Sequence, residues 1–134
     1  MRHLILALAL PLCACASDGP QMPVIPRQLA GNFGGDHIAL QLLPQGGTLD
    51  FDCATGTIGP ITPRGGNNYT ASGTYLPAPG GPSDTGLPPV SRAVVFTGRV
   101  DVDSLSMTGK LSDGSAIGPF VLIRGAPPTI YHCL

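Results

Sequence analysis

The chain has 134 residues, with 19 Gly, 15 Pro, four Cys and no Trp, and a formal net charge of −1. Gly and Pro in such numbers weigh against a helical fold. The absence of any basic patch or charge run leaves nothing for nucleic acid to bind.

Arg2 and His3 precede an apolar run over residues 4–12, and Cys13-Ala14-Cys15-Ala16 follows, which is the layout of a secretory signal. The run is shorter than the about 20 apolar residues a spanning helix needs, and Pro11 interrupts it. Residues 1–16 are therefore expected to be a signal peptide. Leu12-Cys13-Ala14-Cys15 is similar to a bacterial lipobox and would make Cys15 the lipidated first residue; Ala14-Cys15-Ala16 also suits ordinary cleavage before Ser17. Lipidation is preferred because the next stretch, SDGPQMPVIPR, has the polar, Pro-rich character of a tether, assigned to residues 17–29. Processing leaves five Arg and one Lys against eight Asp, the sequence having no Glu. The protein is expected in the periplasm or cell envelope, touching a membrane only through lipid on Cys15, with soluble secretion as the alternative.

Either cleavage removes Cys13 and leaves Cys53 and Cys133 as candidates for pairing in an oxidising compartment. Closing a loop around nearly the whole domain would stabilise it by up to about 4 to 5 kcal/mol. The functional alternative is a nucleophilic Cys53 assisted by His37 or His132. Residues 30–134 suffice for one core, so a single domain is expected there.

Residues 28–35, QLAGNFGG, read as an entry segment with a short strand around Phe33. In residues 37–43, Ile38, Leu40 and Leu42 alternate with His37, Ala39 and Gln41, the period of a strand. Pro44-Gln45-Gly46-Gly47 reads as a hairpin loop, which pairs Leu43 with Thr48, Leu42 with Leu49, Leu40 with Phe51 and Ile38 with Cys53. That register turns Cys53 inward and places Asp50 and Asp52 on the other face. A turn-rich passage then leads into YTASGTYL, a third strand over residues 69–76, and into the long aperiodic loop 77–91.

Residues 92–111 form a second predicted hairpin with Asp101 opposite Ser104. Val100 then meets Leu105, Gly98 meets Met107, Phe96 meets Gly109 and Val94 meets Leu111. Each glycine faces a bulky residue, which suits the curved inner surface of a small barrel. Asp113-Gly114 turns the chain into IGPFVLIR, residues 117–124, apolar on both faces and so expected to be covered on both sides or to lie at a closure point. About seven or eight short strands with no helical period predict an all-β fold, an antiparallel up-and-down lipocalin-like barrel; a β-sandwich is the alternative.

Taken in order, GGDHIALQL, LDFDCATGTI, SGTYLP, VVFTGRV, SMTGKL and IGPFVLIRG resemble a group of small exported bacterial β-domains without assigned function. The resemblance covers residues 31–133, and FDCATGTI with the late Cys133 is its most specific part. The plan is also similar, at the level of the fold, to periplasmic lipocalin-like barrels, some of them lipoproteins that inhibit lysozyme or proteases. That likeness implies no site residues.

No HExxH helix, GxSxG elbow, P-loop or complete EF-hand loop is present. Asp101-Val102-Asp103-Ser104 imitates the start of a calcium loop but falls at a predicted turn, where Asp is ordinary. The best polar cluster is His37, Asp50 and Asp52, which share one face of the first hairpin and suit a metal ion or an acid/base pair. A solvated outer face is the preferred reading, since metal sites usually show three or four converging ligands. Tyr69, Tyr75 and Tyr131 are expected at the rim. No cofactor and no metal is expected. The expected function is a non-enzymatic, inhibitor-like binding module of the envelope, whose loops 77–91 and 62–68 contact another protein. A carrier of a small apolar ligand is the first alternative. A metal-dependent or acid/base hydrolase using His37, Asp50 and Asp52 is the second.

Overall fold

The computed structural model describes residues 29–79 and 88–133. Cys15, the signal segment, tether residues 17–28 and most of loop 77–91 lie outside the described residues. Nine strands follow in order: β1 (Gly31–Gly35), β2 (Ile38–Leu43), β3 (Gly46–Phe51), β4 (Ala54–Ile58), β5 (Thr62–Pro63), β6 (Asn68–Pro77), β7 (Arg92–Arg99), β8 (Ser104–Leu111) and β9 (Ala116–Arg124). Consecutive strands pair antiparallel except β4 and β5, β4 pairs with β6, and β9 returns to β1. Eight strands thereby close a lipocalin-like up-and-down barrel, with β5 added outside the cycle on the lower half of β6. A single closed sheet replaces the sandwich alternative, because the β4–β6 ladder of five residue pairs leaves no second sheet to stack.

Alternation decides which side chains enter the barrel. On the inner face, Leu42 lies opposite Gly31 and Gly47, Ile58 opposite Gly47 and Gly73, Val94 opposite Gly73, and Phe96 opposite Gly109. Large and absent side chains thus alternate around the wall, which is how an eight-stranded barrel makes room for a packed interior. Ile38, Phe96, Leu105 and Leu122 are fully buried at its centre. Burial of each such side chain contributes about 1.5 to 3 kcal/mol. Tyr69 belongs to this core rather than to the rim: it is 2 % exposed, and its hydroxyl donates to the Ser106 carbonyl at 2.9 Å. Burial pushes its pKa well above the usual phenol value, so it stays neutral.

The second hairpin keeps its predicted register, from Val94↔Leu111 through Phe96↔Gly109 to the Val100↔Leu105 bridge. Asp101 closes the turn by donating its N–H to the Ser104 carbonyl at 2.9 Å. The first hairpin differs from its predicted register by two residues: Leu43 pairs with Gly46, Leu40 with Leu49 and Ile38 with Phe51. Gly46 and Gly47 extend the ladder instead of turning, because the inner wall needs an empty position at Gly47, where a Cβ would overlap the Gln41 carbonyl oxygen. A shift of two preserves the faces, yet it moves Cys53 out of the ladder. Cys53 sits exposed in the β3–β4 turn and does not point inward as expected.

The strand apolar on both faces, β9, is the closure strand. Its inner Leu122 is fully buried, while its outer Val121 and Ile123 remain 63 % and 50 % exposed.

The closest approaches in the wall fix the glycines there. A Cβ at Gly98 would overlap the Ser106 carbonyl oxygen, and one at Gly73 would overlap that of Thr57 and reach Phe96 at 2.7 Å. Backbone atoms in a closed ladder cannot retreat, so Gly98→Ala is expected to destabilise the fold by about 3 kcal/mol in urea unfolding. Val102→Ala, at an 86 % exposed position, is expected to change it by less than about 0.5 kcal/mol.

Candidate functional site

The β1–β2, β3–β4 and β8–β9 turns gather at one end of the barrel, the upper rim. The first carries Asp36 and His37, and His37 has φ 66°. That left-handed conformation suits His better than most non-Gly residues. It is held by backbone bonds to the C-terminal segment: the His37 N–H donates to Thr129 O at 2.8 Å, and the Thr129 N–H donates to Gly35 O at 3.1 Å. Together they make a parallel bridge between Asp36 and Thr129.

The segment reaches this end from the foot of β9. Gly125 donates its N–H to Asn32 O at 2.8 Å. The chain then crosses the outer face of β1 at Gly34, where a Cβ would overlap the Ala126 carbonyl oxygen and lie 2.7 Å from the Pro128 nitrogen. Beyond Thr129, the Tyr131 N–H donates to Asp52 Oδ1 at 2.9 Å. Cys133 ends with its sulfur in bonding contact with that of Cys53, the Cα atoms 5.2 Å apart, within disulfide range. Residues 126–133 therefore strap the tips of two hairpins together.

His37 and Asp52 meet under this strap, Nδ1 to Oδ2 at 2.6 Å, with side chains 56 % and 30 % exposed. The carboxylate accepts from Nδ1–H, a tautomer that leaves Nε2 as the free acceptor. The N–H of Tyr131, then the His37 hydrogen bond, hold the Asp52 carboxyl below its ordinary value, with partial desolvation opposing them. The Tyr131 ring lies 5.7 Å from the imidazole. Asp50 does not join them: it stays on the outer face of β3, paired with Ala39 and Thr55. Of the three predicted site residues, two come together. Among the described residues no group of three His, Cys, Asp or Glu side chains is placed to hold a metal ion.

Beside the dyad, Phe51 packs against Tyr75 at 5.4 Å and against Phe120 at 5.7 Å between ring centres. These rings, with His37, Asp52 and Cys53, line an open cavity of about 260 Å³. Tyr75 and Tyr131 were expected at the rim, but Phe51 and Phe120, which complete the mouth, come from strands distant in sequence and carried no local signal. Thr129 carried none beyond the nearby Cys133. Asp101 and Asp103 lie at the opposite end in the β7–β8 turn, as ordinary turn residues.

Loss of the Cys53–Cys133 link in Cys133→Ala is expected to lower unfolding free energy by up to about 4 to 5 kcal/mol. An intact mass two hydrogens below the reduced mass checks that the link is formed. For Asp52, the folded pKa lies below the ordinary 3.8. Its contribution is therefore present above about pH 4 and lost as pH falls through the folded value. The melting temperature of wild type is expected to exceed that of Asp52→Asn at pH values above the ordinary 3.8, and the gap is expected to close as pH falls below it.

No protein-family model matches this chain, and no curated protein or solved structure matches it either.

Proposed function

We propose that this protein is a non-enzymatic binding module of the cell envelope, tethered by lipid on Cys15, that grips another protein with its upper rim in the manner of an inhibitor. The observation carrying this reading is the strap. Residues 126–133 are fixed by a backbone bridge at Thr129, by the Asp52 carboxylate at Tyr131 and by the cysteine pair at their end. A rim ordered in advance loses little entropy on docking. It presents the Tyr131 side chain, 64 % exposed, a residue type favoured at the centres of interfaces. The 62–68 loop lies at the other end of β6 from Pro77, away from the upper rim. The upper rim carries the contact by itself.

For the carrier alternative, the interior positions are occupied by Phe96, Ile38, Leu105 and Leu122, so an apolar ligand would have to sit in the open cavities at the rim, outside the barrel interior. The hydrolase alternative rests on the His37–Asp52 contact. Asp52 spends its other oxygen on the Tyr131 N–H, which fits a clamp for the strap at least as well as an orienter for a base.

The test is affinity capture from solubilised bacterial envelopes with wild type, Tyr131→Ala and His37→Ala. Tyr131→Ala removes the exposed ring and keeps the backbone clamp. A partner recovered with wild type and lost with Tyr131→Ala is expected. Equal recovery by both, or recovery of nothing, would count against the reading. Hydrolysis of envelope polymers that disappears in His37→Ala would replace it with the acid/base reading.

A further inference from the structure

The barrel closes unevenly at its last seam. The β1–β9 ladder holds only Phe33↔Arg124 and Gly34↔Ile123, although β9 runs from Ala116. Continuing that register would set Asp36 opposite Val121, but Asp36 bridges to Thr129 of the strap instead. The strap thus engages Asp36, just beyond the end of β1, in place of β9. A cleft of about 470 Å³ opens between β1 and β9, lined by Asp36, His37, Gly118, Pro119, Phe120 and Val121.

One edge of this cleft is strand backbone. Ile123 directs its hydrogen-bonding groups toward β1, and alternate residues of a strand direct theirs to the same side. The Val121 carbonyl accordingly abuts Gly35. By the same alternation the Val121 N–H and the Pro119 C=O are directed to this side of β9, beyond the end of the ladder. One residue of an added strand satisfies such a donor and acceptor together. Outside the cleft, exposed Val121 and Ile123 continue the edge as an apolar stripe. At its mouth stands exposed Asp36, for which no ion-pair partner exists among the described residues, whereas Arg92, the arginine at this end, is bound to Asp113 at 3.1 Å.

We infer that this seam takes an extended peptide segment of a partner protein as an added strand. Its backbone pairs with Pro119 and Val121, its alternate apolar side chains lie on Val121 and Ile123, and a Lys or Arg meets Asp36. This rests on the binding-module reading and gives it a place and a class of ligand.

The test is an NMR titration of the isotope-labelled protein with a blocked hexapeptide alternating lysine and valine. Expected are shifts concentrated at residues 36–37 and 118–123, with a Kd below about 1 mM. N-methylation of alternate peptide residues is expected to abolish binding. Exchanging lysine for glutamate in the peptide is expected to weaken it, and Asp36→Asn to weaken the lysine peptide by about two- to fivefold. Asp36 is exposed, so the variant keeps the fold. No binding near 1 mM, shifts elsewhere, or indifference to N-methylation overturns the inference. So does a concentration-dependent dimer joined at residues 118–123, which would make a second copy of this chain the occupant. An envelope partner captured by the rim and not displaced by the peptide overturns the seam alone. Failure to capture any partner strikes the module reading, while the titration still reads the seam.

Discussion

Everything in this structure depends on how closely eight short strands can wrap. A barrel this small has an interior only as wide as the side chains that fill it, so neighbouring strands cannot all present bulk at the same level. The wall solves this by opposing Leu42, Ile58, Val94 and Phe96 with Gly31, Gly47, Gly73 and Gly109. Where the strands come closest, a carbonyl oxygen occupies the space a Cβ would need, as at Gly98 and Ser106. The high glycine content is therefore a property of the wall more than of the turns.

The same crowding governs the strap. Residues 126–133 cross β1 because Gly34 offers no side chain on its outer face, and crossing there brings Thr129 to the β1–β2 tip. The strap then reaches Asp52 and Cys53 on the neighbouring hairpin. One cysteine pair within disulfide range and several hydrogen bonds thus hold two turns that would otherwise fray independently. The cost appears at the seam, where β1 leaves β9 to meet the strap and the ladder stops after two pairs. Order at the rim and an open edge beside it have one cause.

That cause also sets the chemistry of the rim. His37 and Asp52 are neighbours because the strap fixes both of their turns. Beside them, aromatic rings from β3, β6 and β9 close the top of the core, with Phe51 buried and Tyr75 and Phe120 partly exposed. The result is an apolar floor with an acidic margin.

Much of the fold was legible in the residues. Alternation over Ile38, Leu40 and Leu42 and the register of Val94 with Leu111 predicted strands, faces and a small barrel, because a period of two records burial on one side. The first hairpin misled by two residues, since Gly46 and Gly47 look like a turn unless the demand for empty wall positions is known. Pairing of Cys53 with Cys133 followed from counting, but the exposed position of Cys53 did not. Of the site, His37 and Asp52 were visible as members of one polar cluster, whereas Asp50, the third member, stays on the outer face of β3. Tyr131 and Tyr75 were expected at the rim, but Thr129 and the packing of Phe51 with Tyr75 and Phe120 stayed hidden because no local period links strands so distant in sequence. The sequence by itself determined which residues alternate, and hence the strands and their inner faces. Only tertiary closure decided where the strap crosses, which turns it joins and where the seam stays open, because these follow from contacts between the two ends of the chain.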